Sequence, residues 1–312
     1  MAVITEDDIE QAILNLLETD GFSYDIIRCS PDVEKRDDLN DGTGRSNKKQ
    51  CILPQVFRES LQKINPGITD AILEKAVEQL RFDAAGADLD DINYQNYQKL
   101  RNSVKVTYNR NGIEDFELVK LIDFENPKNN TFTAVSQMWI QGQYNYRRPD
   151  LLIFVNGLPL IFIELKNSTV KVAEAHAKNL TSYKKDIPNL FAFNQVCVLS
   201  NGLETRLGTY AAGYEHFFEW LKASEEDKID RKAIYDEGVS AKYFVETFLR
   251  KETLLDYIEN FIIYENQTVK IIAKNHQYLG VNNLIESVKN RTESVQLASL
   301  LEVRLYLVDI FS

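Results

Sequence analysis

Residues 151–166 read Leu-Leu-Ile-Phe-Val, then Asn-Gly-Leu-Pro, then Leu-Ile-Phe-Ile-Glu-Leu-Lys. Two short apolar runs joined by a turn cluster read as a hairpin of buried strands. Leu151–Val155 is the first strand, Asn156–Pro159 the turn, and Leu160–Lys166 the second strand. Residues 169–186 then read as a helix that ends before Pro188. Gln195–Leu199 is a third strand, Asn201-Gly202 a turn, and Thr205–Thr209 a fourth strand. Hairpin, helix, strand, strand implies a mixed α/β sheet.

Charged residues are costly inside such a hairpin, and this one holds two. Strand residues two apart share a face. Glu164 and Lys166 therefore point one way while Ile163 and Leu165 point the other. Asp150 stands just before the first strand, 14 positions upstream of Glu164, and a hairpin returns it to Glu164's side. Convergent buried carboxylates repel each other and lose hydration. A divalent cation offsets both costs, and Mg²⁺ suits oxygen donors while keeping its own waters. Such a metal acidifies water and neutralises charge developing on a phosphate. Lys166 would stand near the attacking water or the scissile phosphate and stabilise negative charge there. The alternative is a structural ion pair at a strand end, with Asp150 a turn residue after Arg147-Arg148-Pro149.

The flanks read as follows. Residues 5–20 form a helix with Thr5 as cap, Asp8 in a capping-box position, apolar Ile9, Ile13, Leu16 and Leu17, and Gly21 at its stop. Residues 31–50 are a polar, turn-rich loop with freedom to move. Residues 55–82 are helical, interrupted at Asn65-Pro66-Gly67, and 102–126 alternate like strands with a turn at 109–112. From about 215 the chain reads as mostly helical, with Ile229–Glu237 a linker.

The 312 residues allow one large domain or two. No apolar run approaches the roughly 18–20 residues of a membrane span, and Met1–Asp8 lacks a basic or apolar signal pattern. Three scattered cysteines fit reduced thiols in a cytoplasm, and the three histidines lie at no zinc-finger spacing. A net charge of −11 argues against a freestanding DNA binder. Nucleic-acid contact would then be local, metal-assisted or shared with partner subunits.

The stretch Arg148-Pro149-Asp150 through Asn156-Gly157-Leu158-Pro159 to Glu164-Leu165-Lys166-Asn167 resembles the nuclease motif of the R (restriction) subunit of Type I restriction-modification enzymes. Leu199–Arg206, Phe218–Trp220 and the first helix resemble further segments of that family, so the resemblance covers roughly residues 5–260. It implies a PD-(D/E)xK restriction-endonuclease-like core, a central mixed sheet flanked by helices, over residues 1–250. Residues 251–312 would be the truncated start of a helicase-type motor domain. Asp150 and Glu164 would be ligands to Mg²⁺ and Lys166 the catalytic lysine. Glu10 would be a further acidic residue of the site, with Glu6 a second candidate for that role. Where the family shows Gln-x-x-x-Tyr on the helix after the lysine, this chain has Asn179-Leu-Thr-Ser-Tyr183. Residues four apart share a helix face, so Tyr183 can still point at the site; Asn179 keeps the amide on a shorter arm.

The segments 261–265, 270–278 and 281–286 resemble the entry to the family's motor, which makes Gln277 a candidate for contacting the adenine of ATP. No G-x-x-x-x-G-K-[ST] follows, and Gly42–Ser46 is only a superficial likeness to one. ATP use is therefore expected of a full-length protein alone. The residues 297–312 do not match what the family shows there. The implied function is Mg²⁺-dependent cleavage of double-stranded DNA in a complex with modification (methyltransferase) and specificity subunits, the latter carrying the choice of DNA sequence. Arg147, Arg148, Lys171, Lys178, Lys184 and Lys185 would line the DNA side with Lys166. The alternative is a non-catalytic docking module of a DNA-processing complex; a narrower one keeps the nuclease but places it in a Type III-like or standalone system.

Overall fold

The computed structural model of the protein describes residues 3–30, 39–84 and 88–291. Seven strands lie side by side in chain order: β1 (Asp25–Arg28), β2 (Phe132–Ser136), β3 (Leu151–Val155), β4 (Leu158–Leu165), β5 (Val196–Ser200), β6 (Thr205–Gly208) and β7 (Phe218–Glu219). The β1/β2 and β4/β5 pairs are parallel and the others antiparallel. A parallel pair needs a crossover connection. Between β1 and β2 run helices Pro54–Ile64, Asp70–Glu78 and Leu89–Asn102 and an antiparallel ribbon, Val104–Arg110 with Ile113–Val119. Between β4 and β5 runs the helix that follows Lys166.

Every residue of β3 and β4 is buried, as the apolar runs require. Leu151, Ile153, Ile163 and Leu165 pack with Ile9, Ile13, Leu17, Phe244 and Phe248, from the first helix, Glu6–Glu18, and the helix Ser240–Phe248. Leu152, Phe154 and Phe162 face the other way, onto Leu180, Tyr183 and Phe191. Helices thus cover both faces of a mixed α/β sheet.

The hairpin turn is tighter than the sequence implied. Asn156 (φ 51) and Gly157 (φ 78) complete it alone, which matches a two-residue turn of the hairpin-favoured mirror type. Leu158 and Pro159 already belong to β4, where Pro159 sits opposite Phe154 at a register shift and lacks only a donor the irregular ladder can spare. The Asn156 amide ties the turn to Leu121 O, Asn130 Oδ1 and Thr131 N. A Cβ on Gly157 would meet Leu53 O and Phe57 N at 2.7 Å. Gly157→Ala adds that clash to a left-handed backbone and is expected to destabilise the protein by about 2–3 kcal/mol, read by chemical denaturation. An unchanged midpoint would mean that the helix Pro54–Ile64 yields freely.

The first helix carries the Thr5/Asp8 capping box that was expected. It stops at Glu18 rather than at Gly21, because Thr19 leaves in an extended conformation and its hydroxyl donates to Leu16 O at 2.7 Å. The described part of the polar loop, 39–50, has no regular structure but is pinned. Arg45 and Asp41 pair at 2.9 Å with both side chains almost fully buried, and Arg45 also donates to Gln50 O and Trp139 O. Polar composition concealed this, since fully paired polar groups can be buried. Residues 31–38 lie outside the described residues.

Two readings of the C-terminal third need correction. Arg231–Glu237, expected as a linker, is a helix: the Asp230 side chain accepts from Ala233 N–H and Gly238 closes it in the left-handed conformation. Ile262–Glu265 and Val269–Ile272, in a stretch expected to be mostly helical, form a hairpin. Lys270 from this hairpin is fully buried and donates to Asn93 Oδ1, Asn194 O and Gln195 Oε1; burial holds its ammonium well below the usual lysine pKa. The Tyr97 hydroxyl lies 3.0 Å from Ile258 O and Ile262 O. The described part of the expected motor entry, 251–291, is thereby joined to the same core. The residues 297–312 lie outside the described residues. No helix among the described residues is long and apolar enough to cross a membrane.

Candidate active site

The β3/β4 register sets the site. Leu151 pairs with Ile163, so Asp150 falls beside Glu164. Asp150 Oδ2 accepts the Leu165 N–H at 2.7 Å, which fixes the carboxylate against the end of β4. Glu164 is 2% exposed and points to the face covered by the helix after Lys166. Its Oε1 accepts from Lys166 Nζ at 3.0 Å and from Asn179 Nδ2. Its Oε2 is buried with no hydrogen-bond partner among the described residues. Lys166 Nζ also donates to Leu165 O at 2.7 Å and lies 3.8 Å from Glu6 Oε1.

Burial pushes the Glu164 carboxyl up to about 8, with the Asp150 charge adding to the rise. Burial also raises Asp150, against the Leu165 N–H and Lys166. For Lys166, burial works downward, but the Glu164, Glu6 and Asp150 carboxylates outweigh it and raise the ammonium's pKa. The site therefore holds its lysine charged while its carboxylates resist ionisation.

The helix after Lys166 is continuous but uneven: Val172–Glu174 is α-helical, Ala175–Leu180 is a π-helical turn, and Thr181–Asp186 is α-helical again. Asn179 lies in the π turn, a feature common at functional sites because it re-aims side chains. The short asparagine amide thus reaches Glu164. Tyr183 is buried, packs edge-on to Phe162 and donates its one hydroxyl proton to Arg148 O at 3.2 Å. Burial, then the charges of Glu164 and Asp150, raise its pKa.

Of the two further acidic candidates, Glu10 is buried on the first helix and accepts from Gln137 Nε2. Its carboxyl is raised by burial and by Asp150. The Glu6 carboxylate lies 3.8 Å from Lys166 Nζ, and its backbone N–H is held by Asn167 Oδ1 at 3.0 Å. Gln137 was not anticipated from the sequence. The apolar run Phe132–Ser136 marks the strand before it, but nothing in the sequence shows its side chain turning to Glu10.

The basic residues are dispersed. Arg147 pairs with Asp186, and Lys178 with Glu174. Arg148 lies over the Trp139 ring. Lys171 lines a groove of about 550 Å³ with Arg206 and Tyr214. Gln277 is not brought to this site; it is buried in the helix Asn275–Arg291, where its Oε1 accepts the Lys274 N–H at 2.6 Å.

Among the described residues no three His, Cys, Asp or Glu side chains stand close enough to hold a metal ion by themselves. The carboxylates that do stand side by side are Asp150 and Glu164, the latter with a buried oxygen unpartnered among the described residues. That is an all-oxygen set with few protein ligands, which fits a small hard cation that keeps most of its waters.

Residues 3–216 match the model of the family described as Type I restriction enzyme R protein N terminus. The chain is 34% identical over 91% of its length to the Type I restriction enzyme HindI endonuclease subunit of Haemophilus influenzae, 27% of which it covers. It is 29% identical over 91% of its length to the putative type I restriction enzyme MjaIXP endonuclease subunit of Methanocaldococcus jannaschii, covering 28% of it. It is 28% identical over 57% of its length to the Type I restriction enzyme EcoprrI endonuclease subunit of Escherichia coli, covering 56%. The chain spans about a quarter of the length of the first two relatives.

Proposed function

The chain belongs to the family of Type I restriction enzyme R protein N termini, and from that premise we propose that it is the DNA-cleaving part of such a subunit, hydrolysing phosphodiester bonds of double-stranded DNA with Mg²⁺. The single observation that carries this reading is the buried Oε2 of Glu164, without a hydrogen-bond partner among the described residues, beside Asp150 and Lys166. An oxygen left so is destabilising unless something occupies the space it faces. The arrangement suits a PD-(D/E)xK core.

Asp150 and Glu164 would hold the metal. Bound there, it supplies positive charge against the phosphate and a more acidic water. Lys166 is kept charged by its carboxylate neighbours; released from Glu164 Oε1, it can donate to the scissile phosphate or orient the attacking water. Asn179 holds Glu164 in position. Tyr183 braces the backbone just before Asp150 through Arg148 O.

The net charge of −11 suits a DNA grip shared with modification and specificity subunits. ATP-driven movement along DNA would reside in the remainder of a full-length subunit, with Gln277 as a contact to adenine there. The competing reading, a docking module with structural carboxylates, requires no metal site. Calorimetric titration with Mn²⁺ separates the two. The wild type should bind with micromolar-to-millimolar affinity and Asp150→Asn about tenfold or more weaker. Equal heats for both proteins, or none from the wild type, would leave the docking reading in possession.

A further inference from the structure

Gln137 sits immediately after β2 with φ 55, in the left-handed region that a side chain rarely adopts. Such a backbone persists only where its surroundings hold it. Here the holding contacts lead to Asp150 and Glu10. The Gln137 N–H donates to Asp150 O at 3.0 Å. One side-chain N–H donates to Glu10 Oε2. Gln137 therefore holds the main chain of Asp150 through its backbone and Glu10 on the first helix through its side chain.

We propose that Gln137 is a positioning residue of the carboxylate centre, a neutral clasp that holds Glu10 and Asp150 together and aims Asp150 at its cation. The inference rests on the metal-centre reading above. A primary amide is suited to this task. It donates without carrying charge, so it can hold a buried carboxylate beside the centre without competing with a metal as an ammonium would. A carboxylate in its place would add a third repelling charge. A shorter amide would not span from β2 to the first helix. The clasp also gives the buried Glu10 carboxylate a hydrogen-bond donor.

The test is Mn²⁺ binding, followed by calorimetry and by the electron paramagnetic resonance spectrum of the bound ion. The proteins are wild type, Gln137→Ala, Gln137→Gly and Gln137→Glu, each with its melting temperature. Gln137→Gly removes the clasp and relieves the left-handed backbone, so it folds even where Gln137→Ala is strained. The expected result is a Mn²⁺ affinity at least tenfold weaker in Gln137→Ala and Gln137→Gly, with an altered spectrum. Gln137→Glu should not rescue it. Wild-type affinity and spectrum in folded Gln137→Gly would overturn the inference while the metal-centre reading stands. Absence of Mn²⁺ binding in the wild type itself would overturn both.

Discussion

Glu164→Gln is expected to raise the melting temperature of the metal-free protein at pH 8 while leaving it nearly unchanged at pH 5. Burial pushes the Glu164 carboxyl up to about 8 in the folded protein, from an ordinary value of 4.5. The folded state thus holds its proton more tightly than the unfolded chain. Whatever stability this confers is fully present below about 4.5, and it is lost as pH rises through the window up to about 8. Each tenfold difference in proton affinity between the folded and unfolded states corresponds to about 1.4 kcal/mol, so the loss by pH 8 is on the order of 3–5 kcal/mol. A glutamine has no charge to desolvate and offers Asp150 a donor in place of a repelling oxygen. A gain of this size corresponds to roughly 5–15 °C for a chain this long. Scanning calorimetry in EDTA from pH 5 to 8.5 reads it directly. Mn²⁺ should stabilise the wild type more at pH 8 than at pH 5, because its carboxylates must give up their protons to bind, and it should do little for the variant. Parallel pH profiles for the two proteins would show that Glu164 is ionised at ordinary cost and that the site is not an electrostatic trap.

Lys166→Ala is expected to abolish DNA cleavage while sparing metal binding. Lys166 is the cation in contact with Glu164, its side chain is 15% exposed, and the neighbouring carboxylates keep it charged. Loss of one such preorganised charge at a phosphate typically costs about 10²–10⁴ in rate. The assay belongs in a full-length subunit assembled with its modification and specificity partners, where cleavage can be scored against ATP hydrolysis. ATP turnover should persist at the wild-type rate while nicking and double-strand breaks disappear. Mn²⁺ affinity should hold or rise, since a competing cation has gone. Retained cleavage would remove Lys166 from the chemistry and reduce it to a structural counter-ion of Glu164.

The motif hairpin was legible because its signals are local. The run Leu151–Val155, the Asn156-Gly157 dipeptide and the alternation at Glu164 and Lys166 fix strand, turn and face with no knowledge of distant parts. The same holds for the Thr5/Asp8 cap and for the break at Asn65-Pro66-Gly67 between two helices. The helix Arg231–Glu237 was misread as a linker, because its polar face hides the capping signals of Asp230 and Gly238.

By itself, then, the sequence determined the mixed α/β sheet, the hairpin at its heart and the convergence of Asp150, Glu164 and Lys166. Periods of two and turn dipeptides act over a few residues and need no partner from elsewhere. Only the tertiary structure decided which groups surround that trio. Gln137 approaches from β2 and Glu10 from the first helix, 127 positions apart. Asn179 reaches Glu164 because a π turn re-aims it. Lys270 is buried against residues 177 and 75 positions away. Such contacts follow from how the layers stack and from the need to satisfy every polar group shut inside, and that need has no period along the chain.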